Sequence, residues 1–169
     1  MPSLVDLVKA HIEAEDRRDV QATLDTFSED CFYTMHAFGL DLRGKEQIGN
    51  HYRSAFKAMP NFHNPESRII DAGDDVFWMG RMEAVQTGPW GDLPPTGRKV
   101  VNYGLAHFHR GSDGRLAGEH TWFNGNDFLH QLGLLPSSNS MELVNHIRAL
   151  ESKLAELRAK LQIPLGEIT

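Results

Sequence analysis

Three stretches in the first 60 residues carry apolar residues at helical spacing. Ser3 precedes the first stretch and Asp19 precedes the second, and both are residue types that cap the start of a helix. The third stretch begins near Gly44 and ends at Pro60, because proline cannot continue a helix. The pattern therefore predicts three N-terminal helices, with a β segment at 31–36 between the second and the third.

Beyond residue 65 the spacing of apolar residues becomes that of β-strands. The predicted strands are 68–71, 76–86, 98–110 and 115–124. A Gly-Ser-Asp-Gly turn joins the last two into a long hairpin, and a short apolar helix at 128–134 follows. Helices followed by a run of strands predict an α+β domain over residues 1–136.

A different pattern starts after a polar linker at 137–140. Within a predicted helix over 141–163, apolar residues recur at spacings of four and three, as in the a/d seam of a heptad repeat: Leu143, Ile147, Leu150, Leu154, Leu157 and Leu161. One interpretation is a helix that lies against its own domain. The strict seam with charged flanks favours a partner helix, so we expect a homodimer or a higher homo-oligomer.

Charge and composition restrict the class of protein. The 169 residues carry a formal net charge of −6, and the longest basic run is Arg17-Arg18. This balance argues against nucleic acid and anionic membranes as partners. No apolar stretch approaches the ~20 residues of a membrane span and no secretory leader is evident, so we expect a cytoplasmic protein. A single cysteine, Cys31, excludes an internal disulfide and a cysteine-based zinc site.

Three short motifs resemble those of one family in order and spacing. They are Pro-Pro-Thr-Gly-Arg at 94–98, Asp-Gly-Arg-Leu at 113–116 and Gln-Leu-Gly-Leu at 131–134. Over residues 3–136 the sequence resembles the SnoaL-like polyketide cyclases, a family of the nuclear-transport-factor-2-like superfamily. The resemblance implies a curved, mostly antiparallel sheet that forms a cone with three N-terminal helices. It also implies a cofactor-free enzyme that acts on a bulky carbon acid; the C-terminal helix lies outside the resemblance.

The resemblance further implies a general base, an aspartate on the last strand. When the motif is aligned without a gap between Leu116 and Gln131, Asn124 occupies the aspartate position. An amide cannot accept a proton near neutral pH, although it can donate a hydrogen bond to an oxyanion. We therefore expect another group to act as the base.

The predicted hairpin separates its side chains into two faces, because side chains alternate along a strand. One face collects Tyr103, Leu105, His107, His109, Leu116, His120, Trp122 and Asn124. The other face collects Asn102, Gly104, Ala106, Phe108, Ala117, Glu119, Thr121 and Phe123. Because the family's base position lies on the first face, we expect the first face to line the interior of the cone.

The first face combines apolar side chains with a few polar groups, as small-molecule sites do. His120 is the expected base, with His107 as the second candidate, because an imidazole exchanges protons near neutral pH. Asn124 is expected to hold the substrate oxygen or to orient an imidazole. The expected substrate-binding residues are Tyr103, Trp122, Tyr33 and His51. For any single histidine, a structural role in the core is the alternative.

These observations predict a cofactor-independent lyase or isomerase that acts on a hydrophobic, oxygenated ring or polyketide-like small molecule by aldol cyclisation, dehydration or isomerisation. The alternative is a non-catalytic binding or assembly module, in which the cone is a scaffold and the C-terminal helix drives oligomerisation. A zinc site is a competing interpretation, because His107 and His109 share a face with His120 across the strand pair. We expect no metal and no cofactor.

Overall fold

The computed structural model describes residues 2–135 and 140–161. The helices are α1 (Leu4–Asp16), α2 (Val20–Asp25), α3 (Gly44–Ala58), α4 (Gly125–Gln131) and α5 (Ser140–Leu161). The strands are β1 (Phe27–Met35), β2 (Leu40–Arg43), β3 (His63–Asp71), β4 (Asp75–Val85), β5 (Lys99–Arg110) and β6 (Leu116–Phe123). A short 3₁₀ helix at His36–Phe38 links β1 to β2.

The three N-terminal helices confirm the sequence prediction, including the residues that cap the first two. The Ser3 hydroxyl accepts a hydrogen bond from the backbone N–H of Asp6 at 3.1 Å, and the Asp6 carboxylate accepts one from the Ser3 N–H at 3.2 Å. The Asp19 carboxylate accepts the N–H of Ala22 at 3.0 Å. These side chains satisfy backbone donors that a helix leaves unpaired in its first turn.

The six strands form one curved sheet in the order β2-β1-β6-β5-β4-β3. Neighbouring strands are antiparallel except for β1 and β6, which run parallel. In the β5–β6 hairpin, His107 pairs with His120 and Leu105 pairs with Trp122. The expected α+β fold with a curved, mostly antiparallel sheet is confirmed.

Several element boundaries differ from the sequence prediction for local reasons. β3 begins at His63, five residues before the predicted start at 68, and its first half is polar and mostly exposed. A strand whose side chains face solvent gives little hydrophobic signal, although its backbone still pairs with β4. α4 begins at Gly125 rather than at 128, because the Asn124 side chain caps it.

The core lies between the concave face of the sheet and helices α1 and α3. α1 contributes Leu4, Val8 and Ile12, and the sheet contributes Phe27, Trp78, Phe108 and Leu116. A second cluster beneath α4 contains Ala58, Val100, Phe128 and Leu132. The concave face of the β5–β6 hairpin is therefore the face that carries Phe108.

α5 is a continuous helix over Ser140–Leu161, where the sequence predicts one at 141–163. Five of its apolar side chains are between 40% and 54% exposed: Val144, Ile147, Leu150, Leu154 and Leu157. The predicted linker at 137–140 lies outside the described residues, apart from Ser140. Among the helices that the structure describes, none is both long and apolar enough to cross a bilayer.

Candidate functional site

The predicted grouping of the hairpin side chains is correct for most residues, but the face that we expected to line the interior points outward. Tyr103 is 70% exposed and Trp122 is 39% exposed, whereas Phe108 is 0% and Glu119 is 4% exposed. The second face is buried because its apolar side chains pack against the apolar stripes of α1 and α3. From this hairpin, the interior is lined by Asn102, Gly104, Ala106, Phe108, Glu119, Thr121 and Phe123.

The expected bases, His120 and His107, therefore lie on the outer face of the sheet. Nδ1 of His120 is hydrogen-bonded to the Thr34 hydroxyl at 2.6 Å, and the His120 ring centroid is 4.7 Å from that of Phe32. Partial burial, followed by the charges of neighbouring histidines, lowers the pKa of His120. The expectation that these two imidazoles face the interior is wrong, and so is the same expectation for Tyr103. Trp122 stacks on the exposed His36 with 4.6 Å between ring centroids, and it is also among the residues that line the interior cavity.

Asn124 is not among the residues that line the interior either. Its side-chain oxygen accepts the backbone N–H of Asp127 at 3.1 Å, so Asn124 is the N-cap of α4 and is itself exposed. Leu116 departs from its predicted face for a different reason. A shift in strand register between His109 and Arg110 turns Leu116 into the core.

Two of the expected substrate-binding residues, Tyr33 and His51, do face the interior. They line a cavity of about 110 Å³ between the concave face of the sheet and helices α1 and α3. The polar lining includes Glu15, Tyr33, His51, Tyr52, Asn102 and Glu119, and the apolar walls include Met35, Trp78, Met82, Val100, Phe123 and Phe128. Apolar walls with a few polar groups are typical of a small-molecule site.

A buried cluster of four residues forms the floor of the cavity: Glu15, Tyr52 and Glu119 line it, and His11 lies behind them in contact with both glutamates. Nε2 of His11 lies 3.5 Å from Glu15 Oε1 and 3.5 Å from Glu119 Oε2. The Tyr52 hydroxyl donates to Glu119 Oε2 at 3.2 Å. Nδ1 of His11 donates to the Thr26 hydroxyl at 2.8 Å, because that hydroxyl already donates to a backbone carbonyl. Both ring nitrogens of His11 therefore point at acceptors.

Burial and mutual attraction change the protonation of the buried cluster. Desolvation lowers the pKa of His11, but the carboxylates of Glu15 and Glu119 outweigh that effect and raise it to about 9. Burial raises the pKa of Glu119, His11 partly opposes this increase, and Glu15 adds to it. His11 is therefore an imidazolium near neutral pH, and Glu119 holds a proton more tightly than an exposed glutamate. A carboxylate with a raised pKa is a stronger base than an exposed glutamate, and the protonated group can return the proton.

The side wall of the cavity is aromatic. The Tyr33 ring centroid lies 4.9 Å from that of His51 and 5.9 Å from that of Tyr52. Desolvation lowers the pKa of His51 to about 4, so its imidazole is neutral at pH 7. Burial raises the pKa of Tyr33 well above its ordinary value. The Tyr33 hydroxyl therefore keeps its proton and is a hydrogen-bond donor at the cavity wall.

Trp90 stands at the mouth of the cavity, on the loop between β4 and β5. Two backbone hydrogen bonds of 3.0 Å with Leu93 fix the loop, and the Trp90 ring centroid lies 5.5 Å from that of Phe128. An outer groove shares Met35, His51 and Trp90 with the cavity. A ligand that enters from this groove passes these three side chains.

Sequence reasoning did not identify His11, Glu15 or Glu119 as site residues, although two signals were present. His11 lies on the apolar stripe of the first helix, with Glu15 one turn later. Glu119 alternates in phase with apolar residues of its strand and pairs with Phe108 across the hairpin. A carboxylate in such a position costs free energy unless it is paired, which makes it a candidate functional group.

Within the part of the chain that the structure describes, two groups of residues have donor atoms close enough to hold a metal ion. The first group consists of His11, Glu15 and Glu119 of the buried cluster, whose donor atoms contact one another. No buried side-chain nitrogen or oxygen among the described residues lacks a hydrogen-bond partner. The second group, Asp75, His107 and His109, lies on the outer face of the sheet, on the other side from the cavity.

Comparisons with solved structures support the fold. A proposed polyketide cyclase from Pseudomonas putida KT2440 is 20% identical, with a TM-score of 0.71 over 78% of this chain and 98% of that chain. A protein with a ketosteroid isomerase-like fold from Catenulispora acidiphila, in complex with trimethylamine, is 19% identical, with a TM-score of 0.66 over 78% and 95%. A nuclear-transport-factor-2-like protein from Burkholderia thailandensis is 18% identical, with a TM-score of 0.66 over 79% and 98%.

These structures establish a shared fold, and none of them assigns a reaction to this chain. No curated protein matches the chain at a significant level. The family model described as SnoaL-like polyketide cyclase matches residues 5–132, which is the region that contains the cavity and the sheet. By this match, the chain belongs to the SnoaL-like polyketide cyclase family.

Proposed function

We propose that the chain is a cofactor-independent acid–base enzyme, a lyase or isomerase, whose base is Glu119 rather than His120. One observation carries the proposal: a buried carboxyl group with a raised pKa lies at the floor of an apolar cavity. Such a group can remove a proton from a carbon next to a carbonyl group. Proton removal of this kind begins aldol cyclisation, dehydration and isomerisation alike.

The other residues of the cavity floor support this role. The imidazolium of His11, 3.5 Å from Glu119 Oε2, compensates the carboxylate charge in surroundings where an unpaired charge would be costly. Tyr52 donates to the same oxygen at 3.2 Å, which leaves the second carboxylate oxygen for the substrate proton. The Tyr33 hydroxyl donates to the carbonyl oxygen of the substrate as negative charge develops there.

The proton balance of the proposed step is simple. The C–H bond breaks, its electron pair forms an enolate, and the proton moves to Glu119. In an isomerisation Glu119 returns the proton to another carbon, and in a dehydration it gives the proton to the leaving hydroxyl. Neither route changes the oxidation state of the substrate overall, so this chemistry needs no redox partner.

The cavity suggests a substrate that is hydrophobic, oxygenated and small. Its volume of about 110 Å³ is below the roughly 150 Å³ of a cavity that holds benzene, so the proposed substrate places at most one ring inside. A polyketide-like substrate would extend past Trp90 into the outer groove. The solved relatives described as polyketide cyclases favour this substrate class.

A second function is compatible with the first. We propose that α5 assembles the chain into a homodimer or a higher homo-oligomer, because its heptad seam exposes Ile147, Leu150, Leu154 and Leu157 at 46% to 54%. In isolation, about three heptads form a marginal helix, so such a helix gains stability from packing. If the cavity binds ligands without changing them, the chain is a binding and assembly module instead of an enzyme.

Ligand binding separates the concave face from the outer face. Cyclic ketones are titrated into the wild type, into Tyr33→Phe and into the matched outer-face control Tyr103→Phe, with NMR detection of the ligand. Loss of one hydrogen bond worth about 1 kcal/mol should weaken ketone binding by Tyr33→Phe roughly fivefold. The control and the corresponding oxygen-free hydrocarbons should show no change. Equal binding of ketones by all three proteins would argue against Tyr33 as the carbonyl donor.

A further inference from the structure

The outer face of the sheet carries a compact group of side chains that the proposed chemistry does not use. Asp75 at the start of β4 pairs with His109 of β5, and His107 lies two residues earlier on the same face of β5. Asp75 Oδ1 is 2.8 Å from His107 Nε2 and 2.8 Å from His109 Nδ1. Two imidazole nitrogens and one carboxylate oxygen therefore converge on one point.

We propose that Asp75, His107 and His109 form a binding site for a divalent transition-metal ion, with Zn²⁺ as the physiological occupant. Two imidazoles and one carboxylate are a ligand set that zinc sites use when the fourth position is left to water or another ligand. Imidazole donors favour Zn²⁺, Cu²⁺ and Ni²⁺ over Mg²⁺ and Ca²⁺, which prefer oxygen donors.

The spacing of the donors suits an ion with little movement. In a tetrahedral site with ligands at about 2.0–2.2 Å, neighbouring ligand atoms are about 3.4 Å apart. The three donor atoms lie within 4.8 Å of one another. The Asp75 oxygen needs to move outward by roughly half an ångström from its present hydrogen bonds, and the two imidazoles need the tautomers that leave these nitrogens unprotonated.

The surroundings hold the ligands in place and leave them accessible. The Phe77 ring stacks on His107 with 4.3 Å between centroids and 11° between planes, which restricts rotation of that imidazole. The side chains of His107, His109 and Asp75 are 19%, 35% and 42% exposed, so an ion can reach them from solvent. The His120 ring centroid lies 5.6 Å from that of His109, so among the histidines whose side chains the structure describes His120 is the next imidazole available for the open fourth position.

The proposed metal site differs from the zinc face that the sequence suggested. The sequence suggested a site of three histidines, His107, His109 and His120. In the proposed site, the carboxylate of Asp75 on the neighbouring strand β4 takes the place of His120. The site lies on the opposite side of the sheet from Glu119. It is therefore independent of the proposed acid–base chemistry, which stays metal-free.

Isothermal titration calorimetry with Zn²⁺ tests the proposal on the full-length, untagged chain after treatment with EDTA. The wild type should bind one ion per chain, and His109→Ala and Asp75→Asn should each bind at least tenfold more weakly. Two matched controls should bind like the wild type: His36→Ala removes another outer-face imidazole, and Asp74→Asn removes the adjacent carboxylate. Far-UV circular dichroism verifies that each variant is folded.

Visible absorption after loading with Co²⁺ provides a second readout. The d–d bands of a four- or five-coordinate Co²⁺ complex should appear with the wild type and disappear with the His107→Ala/His109→Ala double variant. The proposal is overturned if the wild type binds Zn²⁺ no more tightly than this double variant. It is also overturned if the two controls lose as much affinity as the ligand variants, because the binding would then be spread over surface histidines.

Discussion

Protonation of His51 should destabilise the fold, and the size of the effect follows from its surroundings. Its imidazole packs among Tyr33, Tyr52 and Trp90, and desolvation lowers its pKa from 6.5 to about 4. The unfolded chain therefore binds a proton between pH 6.5 and pH 4 that the folded chain does not bind. The neutral His51 therefore contributes stability that is fully present above pH 6.5 and is lost as the pH falls toward 4.

The magnitude follows from the two pKa values. A difference of about 2.5, at about 1.4 kcal/mol for each pKa unit, corresponds to roughly 3 kcal/mol of unfolding free energy. His51→Phe keeps an aromatic ring at this position and removes the titration. When the pH is lowered from 7.5 to 4, the wild type should therefore lose about 3 kcal/mol of unfolding free energy relative to His51→Phe.

Urea unfolding of both proteins across this pH range measures the difference in unfolding free energy. The contributions of the titratable groups that both proteins share cancel in this difference. His63→Phe is a control that removes an exposed imidazole outside the cavity. NMR of the His51 ring protons gives the titration midpoint directly. A difference that stays constant to within about 0.5 kcal/mol, or a midpoint near 6.5 in the folded chain, would refute the account of the cavity as a desolvated environment.

Three further predictions concern the cluster, the mouth and α5. His11→Gln should destabilise the fold by about 3 kcal/mol at pH 6, because two buried carboxylates lose their counter-charge. Because the pKa of His11 is about 9, denaturation curves should show that this loss of stability shrinks as the pH rises from 6.5 through 9. A loss of stability that does not change with pH would contradict a protonated His11. Trp90→Ala should weaken binding of ring ketones by roughly tenfold in ligand-observed NMR through lost aromatic contact, and unchanged affinity would exclude Trp90 from the binding path. A chain that ends at residue 136 should have a lower oligomer mass by light scattering than the full chain, and an equal mass would show that α5 is not the interface.

Local patterns predicted most of the fold. The caps at Ser3 and Asp19 act through neighbours three residues away, so they can be read from sequence and both form as expected. The separation of most hairpin side chains into two faces follows in the same way from strand alternation, but the strand register does not, because a register shift between His109 and Arg110 places His107 opposite His120. The caps and the separation into faces are short-range consequences of backbone geometry.

The choice of the buried face could not be made from alternation, which groups side chains without stating which group faces the core. The histidine-rich face has the composition of a small-molecule site, and the position of the family's base also lies on it. Burial of Ala106 and Phe108 against α1 decides otherwise, because apolar area is worth about 25 cal/mol per Å² whereas histidine and tyrosine tolerate solvent. The His11–Glu119 contact joins positions more than 100 residues apart, so no local pattern contains it.

The central claim is that Glu119 on the concave face, and not His120 on the outer face, is the base. The most direct test measures hydrogen–deuterium exchange at the α-carbon of a cyclic ketone that binds the cavity, by NMR in D₂O. Wild type and the matched outer-face variant His120→Gln should catalyse exchange at the same rate, and Glu119→Gln should be at least about 100-fold slower, the usual contribution of a positioned base. Full activity of Glu119→Gln, or loss of activity in His120→Gln alone, would contradict this account.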